Sequence, residues 1–175
     1  MTETMIVWGV TISPCVQKVI IALKEKSLAY ELRETLPTAL LHAKSMEIPM
    51  AFSQCSPLGK IPALQVGNVM ISDSSVIADY LDHQYDSGYS LYPTKPELRA
   101  RARWFEMYSD TVLTSIIYHK MFVEMVIKPN ELSIAPNKAL VEHAYAKELP
   151  SLLDFLNTSL SEIQWFAGDD FSMEM

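Results

Sequence analysis

Strand-like runs are confined to the first half of this chain, and that division constrains the fold more than any single residue does. Met5 to Val10 is a short, apolar, β-branched run and reads as a buried strand. Helical spacing follows, with Val16, Val19, Ile20 and Leu23 at i, i+3, i+4 and i+7. Ser13 is placed to cap that helix, and Pro14 suits its first turn. "LAYELRETL" alternates at Leu28, Tyr30 and Leu32, which is a second strand pattern. Residues 38–54 fit either a short helix or an irregular loop. "KIPALQVGNVMI" has the form of a hairpin turning at Gly67-Asn68. "DSSVIADYLDHQY" reads as a capped helix with Val76, Ile77, Tyr80 and Leu81 on one face. Residues 1–86 therefore run β-α-β-(α)-β-β-α.

"DSGYSLYPTKP" holds Gly, Ser and two prolines, so residues 87–95 read as a linker. Residues 96–175 carry no strand pattern. A long helix is expected from Pro96 to Ile127, a loop between Pro129 and Pro136, and a second long helix kinked near Pro150. The expected fold class is α/β plus all-α. At 175 residues and 49% apolar content, two small domains can each bury a core. The net charge of −7 argues against a nucleic-acid surface but leaves room for a small anionic ligand. Two cysteines are too few for a disulfide framework, which points to a reducing, cytoplasmic setting. The N-terminus lacks a signal-peptide pattern, and no apolar run reaches the ~18 residues of a membrane span. His42, His83, His119 and His143 lack zinc spacing, so no metal is expected. A Gly-rich phosphate loop and a G-x-S-x-G elbow are both absent from the sequence.

Candidate chemistry starts at "TISPCVQKVIIALKEK". A strand entering a helix places Ser13 where backbone N–H groups point outward, a site that favours an anion. The residue alone fits either a plain N-cap or a hydroxyl directed at a ligand. Cys15 fits a small packed side chain or a thiol acidified by the helix start. A dithiol C-P-x-C pattern is ruled out, because positions 13 and 16 are Ser13 and Val16. Asp73-Ser74 opens the later helix and fits a cap or a ligand contact. Trp104, Tyr108, Thr111 and Ser115 fall at i, i+4, i+7 and i+11, on one face of a long helix. That face suits core packing or the wall of an apolar cleft.

Four stretches in this order resemble the cytosolic glutathione transferase family: "SPCVQKVIIALKEKSLAYE", "CSPLGKIPAL", "ISDSSVIADYL" and "WFAGDDFS". The resemblance covers almost the whole chain and is to serine-type members. It implies a thioredoxin-like N-terminal domain followed by a helical domain, and glutathione as co-substrate. It also implies a homodimer and transfer of the glutathione sulfur to a small electrophile. Ser13 would then donate a hydrogen bond to that sulfur. A thiol titrating near ~8.5 must be lowered by about two units, or about 2.7 kcal/mol, to be thiolate at neutral pH. One hydroxyl hydrogen bond and a helix terminus supply energy of that order. The Ile61-Pro62 bond would be cis, with Ile61 pairing the cysteinyl backbone of glutathione. Lys60 would reach the glycyl carboxylate, Gly59 would permit the tight turn, and Ser74 with Asp73 would take the γ-glutamyl end. Trp104, Tyr108 and Thr111 would border the electrophile.

The sequence departs from the family at its end. A Phe-Ser-x-x-Asp pattern should open a buried central helix, yet Ser172 is followed by Met175 where the aspartate should stand. A truncated chain is therefore expected, with an apolar groove along the two long helices that dimerisation or a swapped segment would cover. Two other functions fit the same fold. One is a non-catalytic interaction protein of the stringent starvation protein A type, and the other a glutathione-dependent reductase using Cys15.

Overall fold

A computed structural model describes residues 4–173, so the expected departure at Met175 lies outside the described residues. The chain divides into two units, the first ending at Leu91 and the second beginning at Tyr92.

The first unit is built on a four-stranded sheet in the order β2-β1-β3-β4. Its strands are β1 (Met5–Trp8), β2 (Tyr30–Arg33), β3 (Ala63–Val66) and β4 (Val69–Ser72). β1 runs parallel to β2, and β3 is antiparallel to both β1 and β4. Val66 pairs with Val69, so Gly67 and Asn68 alone make the turn, and Gly67 takes the positive φ of 55° that such a turn needs. The helices are α1 (Pro14–Glu25), α2 (Thr38–Ala43), α3 (Met50–Cys55) and α4 (Ser74–Gln84). Two six-residue helices thus occupy the stretch that fitted one helix or a loop.

Side chains alternate across the sheet. On one face Trp8 and Ala63 pack with Phe52 and Cys55 of α3. Burial pushes the Cys55 thiol pKa up, and its sulfur lies 3.2 Å from the Leu64 carbonyl. Val7 and Leu64 point to the opposite face and are fully buried. On that side α4 meets β3 and β4, and α1 packs against α4. Val16, Val19 and Leu23 of α1 and Ile77, Ala78 and Leu81 of α4 form this core. Val76 is half exposed, against the expectation that it shared the buried face with Ile77.

The stretch after α4 is tied to α1 instead of hanging free. Ser87 Oγ donates to the Lys26 carbonyl, and the Tyr89 N–H to that of Glu25. A buried Lys26–Asp82 ion pair of 3.1 Å closes the corner, with the Leu91 N–H donating to Asp82 Oδ1.

The second unit is helical. α5 (Pro96–Tyr108) runs into a π-helical stretch, Ser109–Ile127, then into α6 (Lys128–Glu131). Bonds spanning five residues mark the wider turn: the Lys128 N–H donates to the Val123 carbonyl, and Thr114 Oγ1 to that of Ser109. α7 (Lys138–His143) and α8 (Leu149–Ser159) are joined by a π-helical turn, Ala144–Glu148, just before Pro150. Tyr92 is buried at the start of this unit. Its hydroxyl donates to Glu106 Oε1 at 2.8 Å, and Arg103 donates to both residues. Arg99 and Arg103 also lie over the Tyr92 ring. Phe105 stacks on Phe166, and Arg101 Nε donates to the Phe166 carbonyl. Ser172 is buried, with no partner for its hydroxyl among the described residues. Trp104, Met107, Met125, Leu153 and Phe155 are all substantially exposed.

Candidate functional site

The sheet register brings three loops to one edge. Trp8, the last residue of β1, pairs with Ala63, which opens β3, and Ala63 pairs with Ser72, which closes β4. The segments leading to Ser13, from Lys60 to Pro62, and at Asp73-Ser74 therefore emerge side by side, since paired strands lie about 5 Å apart. Contacts confirm the closeness of the first two. A Cβ on Gly9 would lie 3.5 Å from the Ile61 Cβ and 2.5 Å from Val16 Cγ2.

Ser13 is the N-cap residue of α1 by position, with φ −78° and ψ 123°. Its side chain makes no capping hydrogen bond, and the first turn of α1 holds no acidic residue. The positive end of this helix thus has no counter-charge from its own cap or first turn. The loop before it is shaped by the Ser13 N–H on the Val10 carbonyl and by Gln17 Nε2 on that of Thr11. Cys15 is a half-buried cysteine, outside any disulfide, in the first turn.

The Ile61-Pro62 bond is cis, and among the described residues the Ile61 backbone makes no hydrogen bond to other backbone. Gly59 has φ 64°, and an added Cβ would meet Thr38 Oγ1 at 2.4 Å. That turn is anchored by the Thr38 N–H on the Gly59 carbonyl and by Ser56 Oγ on that of Lys60. The Lys60 side chain is exposed.

α4 begins differently from α1. Asp73 Oδ1 accepts the N–H groups of Ser75 at 3.0 Å and Val76 at 3.3 Å. Those two donors are therefore taken by the cap. The Ser74 N–H stands outside that pair, and its side chain is buried. Asp73 holds φ at 83°, a strained value for a residue with a side chain.

In the second unit Trp104 and Tyr108 stack at 5.5 Å, and both meet the Phe155 ring. From Ser109 the wider turn shifts the face away from 3.6-residue spacing, and the exposed Thr111 donates its hydroxyl to the Met107 carbonyl. One buried charged residue escaped the sequence reading. Lys18, which looks like an ordinary solvated helix lysine, is 5% exposed, and its Nζ lies 2.8 Å from Ser75 Oγ. Among the described residues no group of three His, Cys, Asp or Glu side chains could hold a metal. Among them too, no helix is long and apolar enough to cross a membrane.

Comparison with known proteins bears on the family and the fold. Residues 12–84 match the family model for the glutathione S-transferase N-terminal domain. A glutathione S-transferase of Hyoscyamus muticus is 30% identical over 167 residues, covering 94% of this chain and 74% of that protein. Glutathione S-transferase 3 of Zea mays is 28% identical, covering 95% of this chain and 71% of that one. The apo structure of glutathione S-transferase III superimposes with a TM-score of 0.79 at 26% identity, over 98% of this chain and 76% of that one. The chain belongs to the glutathione S-transferase family.

Proposed function

We propose that this protein is a glutathione transferase of serine type. Glutathione lies along the sheet edge defined by Trp8, Ala63 and Ser72, and Ser13 donates its hydroxyl to the thiolate. The observation that carries the reading is the contrast between the two helix starts. Among the described residues Ser13 makes no side-chain cap to α1 and the first turn of α1 holds no acidic residue, while α4 is capped by its own Asp73. An anionic sulfur at α1 supplies the missing counter-charge, and the helix end with the hydroxyl lowers its pKa.

The Ile61 backbone receives the cysteinyl residue as an added strand would, Lys60 takes the glycyl carboxylate, and Ser74 takes the γ-glutamyl carboxylate. Asp73 keeps its cap and offers its remaining oxygen to the ammonium. The thiolate attacks an electrophilic carbon, a C–S bond forms, and the leaving group departs with its electron pair. Trp104, Tyr108 and Thr111 are the proposed contacts for the electrophile. Two copies pair in solution, the protein works in the cytoplasm, and no metal takes part.

The test is turnover of an activated aryl halide with glutathione. Ser13→Ala should lower kcat/KM about 100-fold, the equivalent of two pKa units on the thiol. Cys15→Ala should stay within about twofold. Loss in the cysteine variant alone would assign the chemistry to Cys15 and a reductase. Glutathione binding by calorimetry without turnover of any electrophile would favour the non-catalytic interaction protein.

A further inference from the structure

We propose that Lys18 is a positioning residue of the glutathione site. Its buried ammonium on α1 holds the first turn of α4, and with it Asp73 and Ser74, in register with Ser13. This inference rests on the glutathione reading above.

Lys18 lies five residues after Ser13, about 7.5 Å along the helix axis, and is almost wholly buried. Burying an ammonium is costly, and an apolar side chain would join two helices without that cost. A charge-assisted hydrogen bond adds a fixed distance and direction. Here that bond is the 2.8 Å contact from Lys18 Nζ to Ser75 Oγ. The Ser75 N–H is held in turn by Asp73 Oδ1 at 3.0 Å. A continuous chain thus runs from the helix that carries Ser13, through Lys18 and Ser75, to the residue beside Ser74. Its last link, Asp73, sits at φ 83°, a conformation that persists only where its surroundings impose it. The γ-glutamyl end of the ligand meets this turn, whereas the thiol meets α1. Lys18 therefore governs recognition of the γ-glutamyl group and not activation of the sulfur.

Steady-state kinetics of Lys18→Met, Lys18→Arg and Ser75→Ala test this, with glutathione and with cysteinylglycine, which lacks the γ-glutamyl group. Lys18→Met should raise the KM for glutathione about tenfold, the worth of one charge-assisted hydrogen bond, with kcat within about twofold. Its KM for cysteinylglycine should not move. Lys18→Arg should recover most of the loss. Ser75→Ala should shift the glutathione KM in the same direction, and the double variant should be no worse than Lys18→Met. Equal KM changes for the two thiols, a fall in kcat at constant KM, or an unchanged glutathione KM each overturn the proposal. If Lys18→Met does not fold, an unchanged KM in Ser75→Ala overturns it. Wild-type protein that fails to bind glutathione in calorimetry sinks the site reading and this inference together. Wild-type binding with indifferent variants sinks this inference alone.

Discussion

Gly88 and Tyr92 stand four residues apart across the division between the two units, and they are held in opposite ways. Gly88 is fixed by backbone. It lies against the end of α1 so closely that a Cβ would meet the Glu25 carbonyl oxygen at 2.0 Å, and its φ is 71°. The neighbouring Tyr89 N–H donates to that same carbonyl. Tyr92 is fixed by side chains: its hydroxyl donates to Glu106, and two guanidinium groups lie over its ring. Burial, followed by the negative charge of Glu106, drives the Tyr92 phenol pKa well above its usual range. The first unit, which carries the site edge, is positioned by strand register and turn geometry. The second depends at its start on a buried polar network that must stay complete.

The largest expected effect comes from breaking that network. Glu106→Ala leaves the Tyr92 hydroxyl and the Arg103 guanidinium without their shared acceptor. The loss should be about 3 kcal/mol, the low end for a broken buried pair, because Arg103 is partly exposed and regains water. Chemical denaturation measures it. Amide exchange should show the loosening in residues 92–108 first. A loss below about 1 kcal/mol would mean that the network is not what holds Tyr92.

Gly88→Ala attacks the backbone-held side of the comparison. The positive φ and the clash with Glu25 should cost about 2 kcal/mol. The loss is bounded by what the segment 85–91 contributes, since that segment can peel away from α1. Limited proteolysis should find new cuts there while the proposed glutathione site keeps its affinity. An unaltered thermal midpoint would show that the close approach is not tight in solution.

Asp73→Ala removes a cap and should cost about 1 kcal/mol, with Asp73→Asn recovering most of it. In the same variant glutathione affinity should fall, because the Ser75 and Val76 donors lose the carboxylate that fixes the turn. A stability loss with unchanged affinity would separate the cap from the ligand site.

The same contrast explains what could be read from the sequence. Strand register was legible because its determinants are local. Gly67-Asn68 fits one turn, that turn fixes Val66 opposite Val69, and alternation then settles the faces of β3 and β4. Ser13, Ile61, Pro62, Asp73 and Ser74 flank those strands, so locating the strands located the edge. The 3.6-residue spacing assumed from Trp104 through Ser115 does not hold past Tyr108, and nothing in "SDTVLTSIIYHK" announces the wider turn that starts at Ser109. Lys18 was missed for a related reason. It is buried where α1 packs against α4, and its partner Ser75 lies 57 positions away; no local pattern distinguishes a lysine drawn under a neighbouring helix from one in water. Val76 failed in the other direction, because an apolar residue in the first turn of α4 extends past the packing surface.

The smallest effect concerns Glu124, which joins the π-helical stretch to the chain before α7. Its carboxylate accepts from Lys128 Nζ at 2.6 Å and from the Asn137 N–H at 2.8 Å. These bonds, that of Lys128 first, hold its pKa below the usual carboxylate value. A carboxyl with a depressed folded-state pKa binds protons less readily folded than unfolded. Its contribution is therefore complete above the ordinary carboxylate pKa and is lost as pH falls through the lower folded value. Glu124→Gln should accordingly be less stable than wild type at pH 7, and the two should converge as the pH is lowered through the carboxylate range. Paired denaturation curves at pH 7, 5 and 3 test this directly. A gap that persists at pH 3 would mean that Glu124 acts there through packing and geometry, as the turn residues of the first unit do, and the contrast between the units would narrow at that point.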